Sequence, residues 1–162
     1  MARYDPEPNV TISVLDRLID MEPKVSTEAL QNRAHSLRQL KASLRRDLEW
    51  LLNTRRTPDA VSEMEATQLK SSLYNYGLPD ISSLGVHSSQ DQNRLLWMME
   101  TAVTHFEPRI QGARVTLEPL EGNSKIMRFQ IHGMLRIDPA PERVTFDTVL
   151  ELTKGEYEVK GE

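Results

Sequence analysis

A chain of 162 residues, 38% hydrophobic and 27% charged, has the size of one domain and can bury a real core. That composition excludes a collagen-like chain and a wholly disordered one. A net charge of -4 gives no general reason to expect nucleic acid or an anionic membrane as partner, and the absence of cysteine removes disulfides and thiolate metal sites.

Residues 1–10 are polar and hold Pro6 and Pro8, which predicts a flexible arm over 1–12 ahead of a single domain over 13–160. The opening residues lack the apolar core of a signal peptide, and no stretch approaches the roughly 18 apolar residues of a membrane span. A soluble protein of a reducing cytoplasm is expected. His35, His87, His105 and His132 are far apart, so neither a metal nor a cofactor is expected. Ser13 to Asp20 reads as a short helix, with Ser13 as cap and Asp16 returning the bond. Val14, Leu15, Leu18 and Ile19 form its apolar side, and Pro23 ends it.

The longest helix is predicted from near Ser26 to before Pro58. Leu30, Leu37, Leu40, Leu44, Leu48 and Leu51 recur as a stripe, widened late by Trp50 and Leu52. Its polar face sets Arg33, Arg38, Lys41, Arg45, Arg46, Arg55 and Arg56 against Glu28, Asp47 and Glu49, or 7 − 3 = +4. The remainder then carries about -8, since -4 − 4 = -8. That face reads either as a solvated surface with local ion pairs or as a docking surface for an acidic protein partner. Nucleic acid ranks third, because no aromatic residues interleave the arginines.

Thr57-Pro58-Asp59 predicts a turn, and Ser62 with Glu65 has capping-box spacing ahead of a short helix to Tyr74. Gly77 is placed to take a positive φ after that helix, and Pro79 prevents its continuation. Ser82 to Gln90 reads as a polar loop, with Ser89 and Gln92 capping the next helix. In that helix Leu95, Met99, Ala102, Val103 and Phe106 share a face. Pro108 disfavours helical backbone at Glu107, so the helix stops there without a glycine cap.

Beyond Arg109 the period changes from 3.6 to 2. Val115 and Leu117 alternate with Thr116, Pro119 interrupts, and Glu121 to Ser124 is a turn. Met127, Phe129, Ile131, Leu135 and Ile137 face one way, with Arg128, Gln130, His132, Met134 and Arg136 opposite. Gly133 marks a bulge or bend. After the stiff Asp138-Pro139-Ala140-Pro141-Glu142 turn, Val144, Phe146, Thr148, Leu150 and Leu152 form the apolar side of a third strand, and 155–159 adds a short fourth. The predicted class is α+β, with N-terminal helices packed on a small, mostly antiparallel C-terminal sheet of three to four strands.

Catalytic signals are weak. There is no GxSxG, phosphate loop or zinc spacing. Glycosidase chemistry needs two placed carboxyls, and only Glu107 occupies an unusual position. Arg109, two residues on, would hold that carboxylate ionised, the opposite of a general acid. Glu107 and Arg109 read instead as an ion pair that fixes the helix-to-strand angle or holds a partner.

Five blocks in order resemble one family. The run Leu44-Arg45-Arg46-Asp47-Leu48-Glu49-Trp50-Leu51-Leu52-Asn53 resembles the arginine-aspartate-leucine-glutamate-tryptophan helix of the TssE family, baseplate subunits of the bacterial type VI secretion system. Tyr74-Asn75-Tyr76-Gly77-Leu78-Pro79-Asp80 and Phe106-Glu107-Pro108-Arg109 are similar to two further signatures, Tyr74 departing from the smaller apolar residue of the pattern. Ser13 to Leu18 and Val144 to Thr148 fit as well, so the resemblance runs over roughly 13–152. The wider family includes a baseplate wedge protein of contractile phage tails, often labelled lysozyme-like. That label supplies the alternative reading, a peptidoglycan hydrolase acting through Glu107.

The resemblance implies a non-enzymatic wedge component, hexameric in the assembled baseplate at the cytoplasmic side of the inner membrane. Its implied partners are TssF, TssG and the sheath subunits, whose polymerisation it would seed by strand complementation. Glu107, Pro108 and Arg109 match the family's Glu-Pro-Arg element, tied to the assembly junction. Arg45, Arg46, Asp47, Trp50, Tyr76, Leu78, Pro79 and Asp80 are carried over as further partner-binding positions. An open sheet edge is a template for strand addition; the sequence leaves open which edge is free.

Overall fold

The computed structural model describes residues 10, 12–19, 33–57, 72–81, 84–85, 88–119 and 126–161. Helix α1 spans Val14–Leu18, and Ser13 caps it by accepting from the Asp16 N–H at 3.1 Å. Asp16 Oδ2 in turn accepts from the Ser13 hydroxyl, at 2.5 Å. The apolar side of α1 faces outward: Val14, Leu15, Leu18 and Ile19 are all exposed.

Helix α2, Arg33–Asn53, buries Leu40, Leu44, Leu48, Leu51 and Leu52. Trp50 is not part of that stripe and is 57% exposed. It lies roughly 200° round the helix from Leu48, whereas Leu52 returns to within about 40° of it. Helix α3 spans Ser89–Phe106, and its cap is Ser88, whose Oγ accepts from the Asp91 N–H at 3.3 Å. The expected Ser89 and Gln92 pair is therefore displaced by one residue. The Ser88 and Asp91 pair puts a carboxylate in the first turn, where the helix dipole favours it, and Asp91 also accepts from the Gly85 N–H at 2.9 Å. Met98 joins Leu95, Met99, Ala102 and Val103 on the buried face. Of the predicted arm only Val10 and Ile12 are described, and Val10 is buried in the core; of the helix expected up to Tyr74 only a short 3-10 turn at Leu73–Asn75 is described. Pro23, the start of the long helix with Leu30, Pro58, the capping box and the Glu121 turn lie outside the described residues.

Four strands follow: β1 (Ile110–Leu117), β2 (Ile126–Leu135), β3 (Glu142–Glu151) and β4 (Glu156–Gly161). They form an antiparallel meander in chain order. Period-2 alternation places Met127, Phe129, Ile131, Leu135, Val144, Phe146, Thr148, Leu150, Tyr157 and Val159 on one buried face. α3 packs on β1 and α2 on β4, so the helices cover that face and share its core. The bulge sits in β1, where Gly112 and Ala113 lie between the Gln111↔Met134 and Arg114↔His132 pairs. Gly133 faces it and is needed for close approach, because a Cβ there would overlap Ile110 Cγ2. Among the described residues, no helix is long and apolar enough to cross a membrane.

Candidate functional site

The helix-to-strand junction is built by Pro108. Glu107 closes α3 by donating its N–H to Val103 O at 2.9 Å, and its own C=O accepts from the Ile110 N–H at 3.1 Å. Pro108 and Arg109 are the central residues of that turn, and the fixed φ of proline suits its first position. The turn reverses the chain directly into β1.

This reversal folds Arg109 back over Glu107. Arg109 Nε donates to Glu107 Oε1 at 2.6 Å and Nη2 to Oε2 at 2.5 Å, a bidentate pair. The Glu107 side chain is 6% exposed and that of Arg109 27%. Arg109 Nη2 also reaches Asp47 Oδ2 on α2, at 2.6 Å. The hydrogen bonds that Arg109 donates to Glu107, with the one to Asp47, outweigh burial and hold its guanidinium above its ordinary range.

Asp47 passes the network on. Its Oδ1 accepts from Arg46 Nε at 3.1 Å and Nη2 at 3.0 Å. Arg46 Nη1 pairs with Asp16 Oδ1 at 2.9 Å, and the Arg46 guanidinium lies 5.2 Å from the Trp50 ring centroid, within cation–π range. Ser43 donates to Asp16 Oδ2 at 2.6 Å. Burial opposes the charge on Arg46, but Asp47 and Asp16 reverse the balance and raise its pKa. Glu107, Arg109, Asp47, Arg46 and Asp16 thus form one alternating row joining the α3–β1 junction, the middle of α2 and the short helix α1.

Tyr76 stacks edge-on against Phe106 with centroids 5.2 Å apart. Burial first, then the carboxylates of Asp47 and Glu107, push its phenol up. Gly77, with φ +101°, lets the chain turn against the end of α2. There Leu78 N donates to Thr54 O at 2.9 Å and Leu78 O accepts from Arg56 N at 2.8 Å. Leu78 is fully buried, Pro79 is half-buried and Asp80 is exposed.

Among the expected site residues, the structure therefore brings together Arg46, Asp47, Trp50, Tyr76, Glu107, Pro108 and Arg109. Leu78 is a packing anchor beside them, and Arg45 points elsewhere, toward β4, with its Cδ 3.7 Å from the position of a Cβ on Gly161. The basic residues expected on the long helix are divided accordingly: Lys41 on α2 pairs with Glu142 at 2.7 Å, while α2 ends at Asn53 and Arg55, beyond it, donates to Gly155 O at 3.1 Å. Sequence reasoning placed Asp16 only as a cap, and no local signal ties it to Arg46, 30 positions on.

Asp16 gives the row a pH dependence. Burial raises its pKa, but hydrogen bonds from Ser13, Ser43 and Arg46 together lower it below 3.8. A depressed carboxylate adds stability that is complete above the unfolded pKa and is lost as pH falls through the folded one. Asp16→Asn is expected to cost about 1 kcal/mol at neutral pH, with the difference from wild type shrinking as pH falls through the depressed folded pKa of Asp16. Urea titrations of both proteins across pH check this, and a difference that persists at low pH would refute it.

A family model described as baseplate wedge protein gp25 matches residues 38–140, from within α2 through the Glu107 turn to the end of β2 and beyond. Comparison with curated proteins and with solved structures gave no match.

Proposed function

This chain belongs to the baseplate wedge protein gp25 family, and we propose that it is the wedge adaptor of a bacterial type VI secretion baseplate. A structural role in a phage-tail-like baseplate follows from the family. The finer reading is that it links TssF and TssG to the contractile sheath at the cytoplasmic side of the inner membrane and seeds sheath polymerisation by strand complementation. The observation that carries it is the family match over the segment holding Arg46, Asp47, Glu107 and Arg109.

The ionic row supports an assembly role. It fixes the angle between α2 and the α3–β1 junction, so a partner meeting that corner finds a preset shape. Trp50 lies beside Arg46, and α1, which meets Arg46 through Asp16, exposes its apolar side; aromatic residues and arginine are enriched at interfaces. The hydrolytic alternative has less support: a general acid carries a proton, and both oxygens of Glu107 are engaged by a guanidinium.

Co-expression with TssF, TssG and the sheath subunit, followed by size exclusion with mass determination, tests the reading. A stable complex containing this chain is expected. Elution of the folded chain alone, with every candidate subunit present, would overturn the proposal.

A further inference from the structure

The outer side of β4 is lined by α2. Asn53 makes a two-point contact there: its Nδ2 donates to Tyr157 O at 2.7 Å and its Oδ1 accepts from Tyr157 N at 2.8 Å. One turn earlier, Glu49 Oε2 accepts from Val159 N at 3.3 Å. One further turn back, Arg45 lies beside Gly161. The spacing explains the fit. Four residues of helix rise about 6 Å, and two residues of strand about 6.8 Å. Side chains one helical turn apart therefore meet alternate strand residues. In effect, Asn53 and Glu49 occupy the hydrogen-bonding positions of a fifth strand.

We propose that this edge of β4 is a strand-accepting surface held shut by Asn53 and Glu49, and that the strand it fits when opened is β4 of a second copy. An antiparallel pairing centred on Val159 sets Glu158 of each copy opposite Lys160 of the other, and Tyr157 opposite Gly161. Glu158 and Lys160 are both exposed, so the cross-strand pairs place opposite charges on the solvent face, the favoured arrangement. Within one chain the helix-borne groups win, because they are already positioned and a second copy must give up its translational freedom to pair. The guard thus keeps separate copies from joining edge to edge. This inference does not depend on the baseplate role.

The test compares mass over a range of concentrations for wild type and the Glu49→Ala/Asn53→Ala variant, with circular dichroism to confirm folding. The variant is expected to dimerise at least about tenfold more tightly than wild type. Adding Lys160→Glu should weaken that dimer by juxtaposing like charges, and adding Glu158→Lys to it should restore pairing. Should the double variant not fold, Glu49→Ala alone frees the Val159 N–H and should show the same shift in smaller measure. A folded variant with wild-type mass at every concentration would overturn the proposal, as would a dimer indifferent to Lys160→Glu. A variant that captures the sheath subunit without pairing with itself would overturn the second-copy assignment.

Discussion

Gly77→Ala is expected to destabilise the protein by about 3 kcal/mol or more. Two costs add at this position. The backbone has φ +101°, a region where an L side chain costs about 1–3 kcal/mol. A Cβ would also overlap the Thr54 carbonyl oxygen. That oxygen cannot easily yield, because it accepts from Leu78 N at 2.9 Å at the end of α2. The chain must either strain or break the Arg55↔Leu78 bridge and withdraw Leu78 from the core. Urea unfolding measures the total, and amide exchange at Arg56 and Leu78 locates it. A loss below about 1 kcal/mol with both amides still protected would show that the turn tolerates a side chain.

Glu107→Ala is expected to cost about 3 kcal/mol. Removing one member of a buried ion pair costs about 3–5 kcal/mol, because the other charge is left uncompensated. The lower end applies, since Arg109 keeps Asp47 and its side chain is 27% exposed. Glu107→Gln should cost less, retaining an acceptor for Nε while losing the charge. A double-mutant cycle with Arg109→Ala isolates the pair, and a coupling energy near zero would mean that Glu107 acts through packing alone. For assembly, folded Glu107→Ala protein is expected to drop out of the wedge complex. If it assembles normally, the junction is scaffold and the partner surface lies elsewhere.

The parts of this molecule that sequence reveals are those governed by near neighbours. Pro108 acts on the residue before it, so the switch from helix to strand is visible locally. Alternation from Met127 to Ile137 reports a half-buried strand because successive side chains take opposite faces. Glu107 and Arg109 are two residues apart, and a single turn suffices to pair them. Other features depend on distance. Asp16 meets Arg46 only once α1 lies against α2, and nothing in either sequence neighbourhood specifies that meeting. Trp50 sits beside true core positions and is exposed by a rotation of half a turn. Arg45 and Arg46 are adjacent in sequence yet serve different surfaces, because consecutive residues on a helix diverge by about 100°. Whether Ser88 or Ser89 caps α3 turns on which following side chain best suits the first turn, a choice of about 1 kcal/mol.

The seat of α2 on β4 also sets an order of events during synthesis. Asn53 and Tyr157 stand 104 positions apart, while the meander closes through neighbouring strands. Hairpins can zip as they leave the ribosome, since each loop is short and its closure costs little entropy. The leucine stripe of α2 emerges long before the strand that covers it, and must wait exposed while more than half the chain is made. For that interval the chain carries exposed apolar surface of the kind that makes folding intermediates prone to aggregate, and the seating of Tyr157 against Asn53 completes its cover.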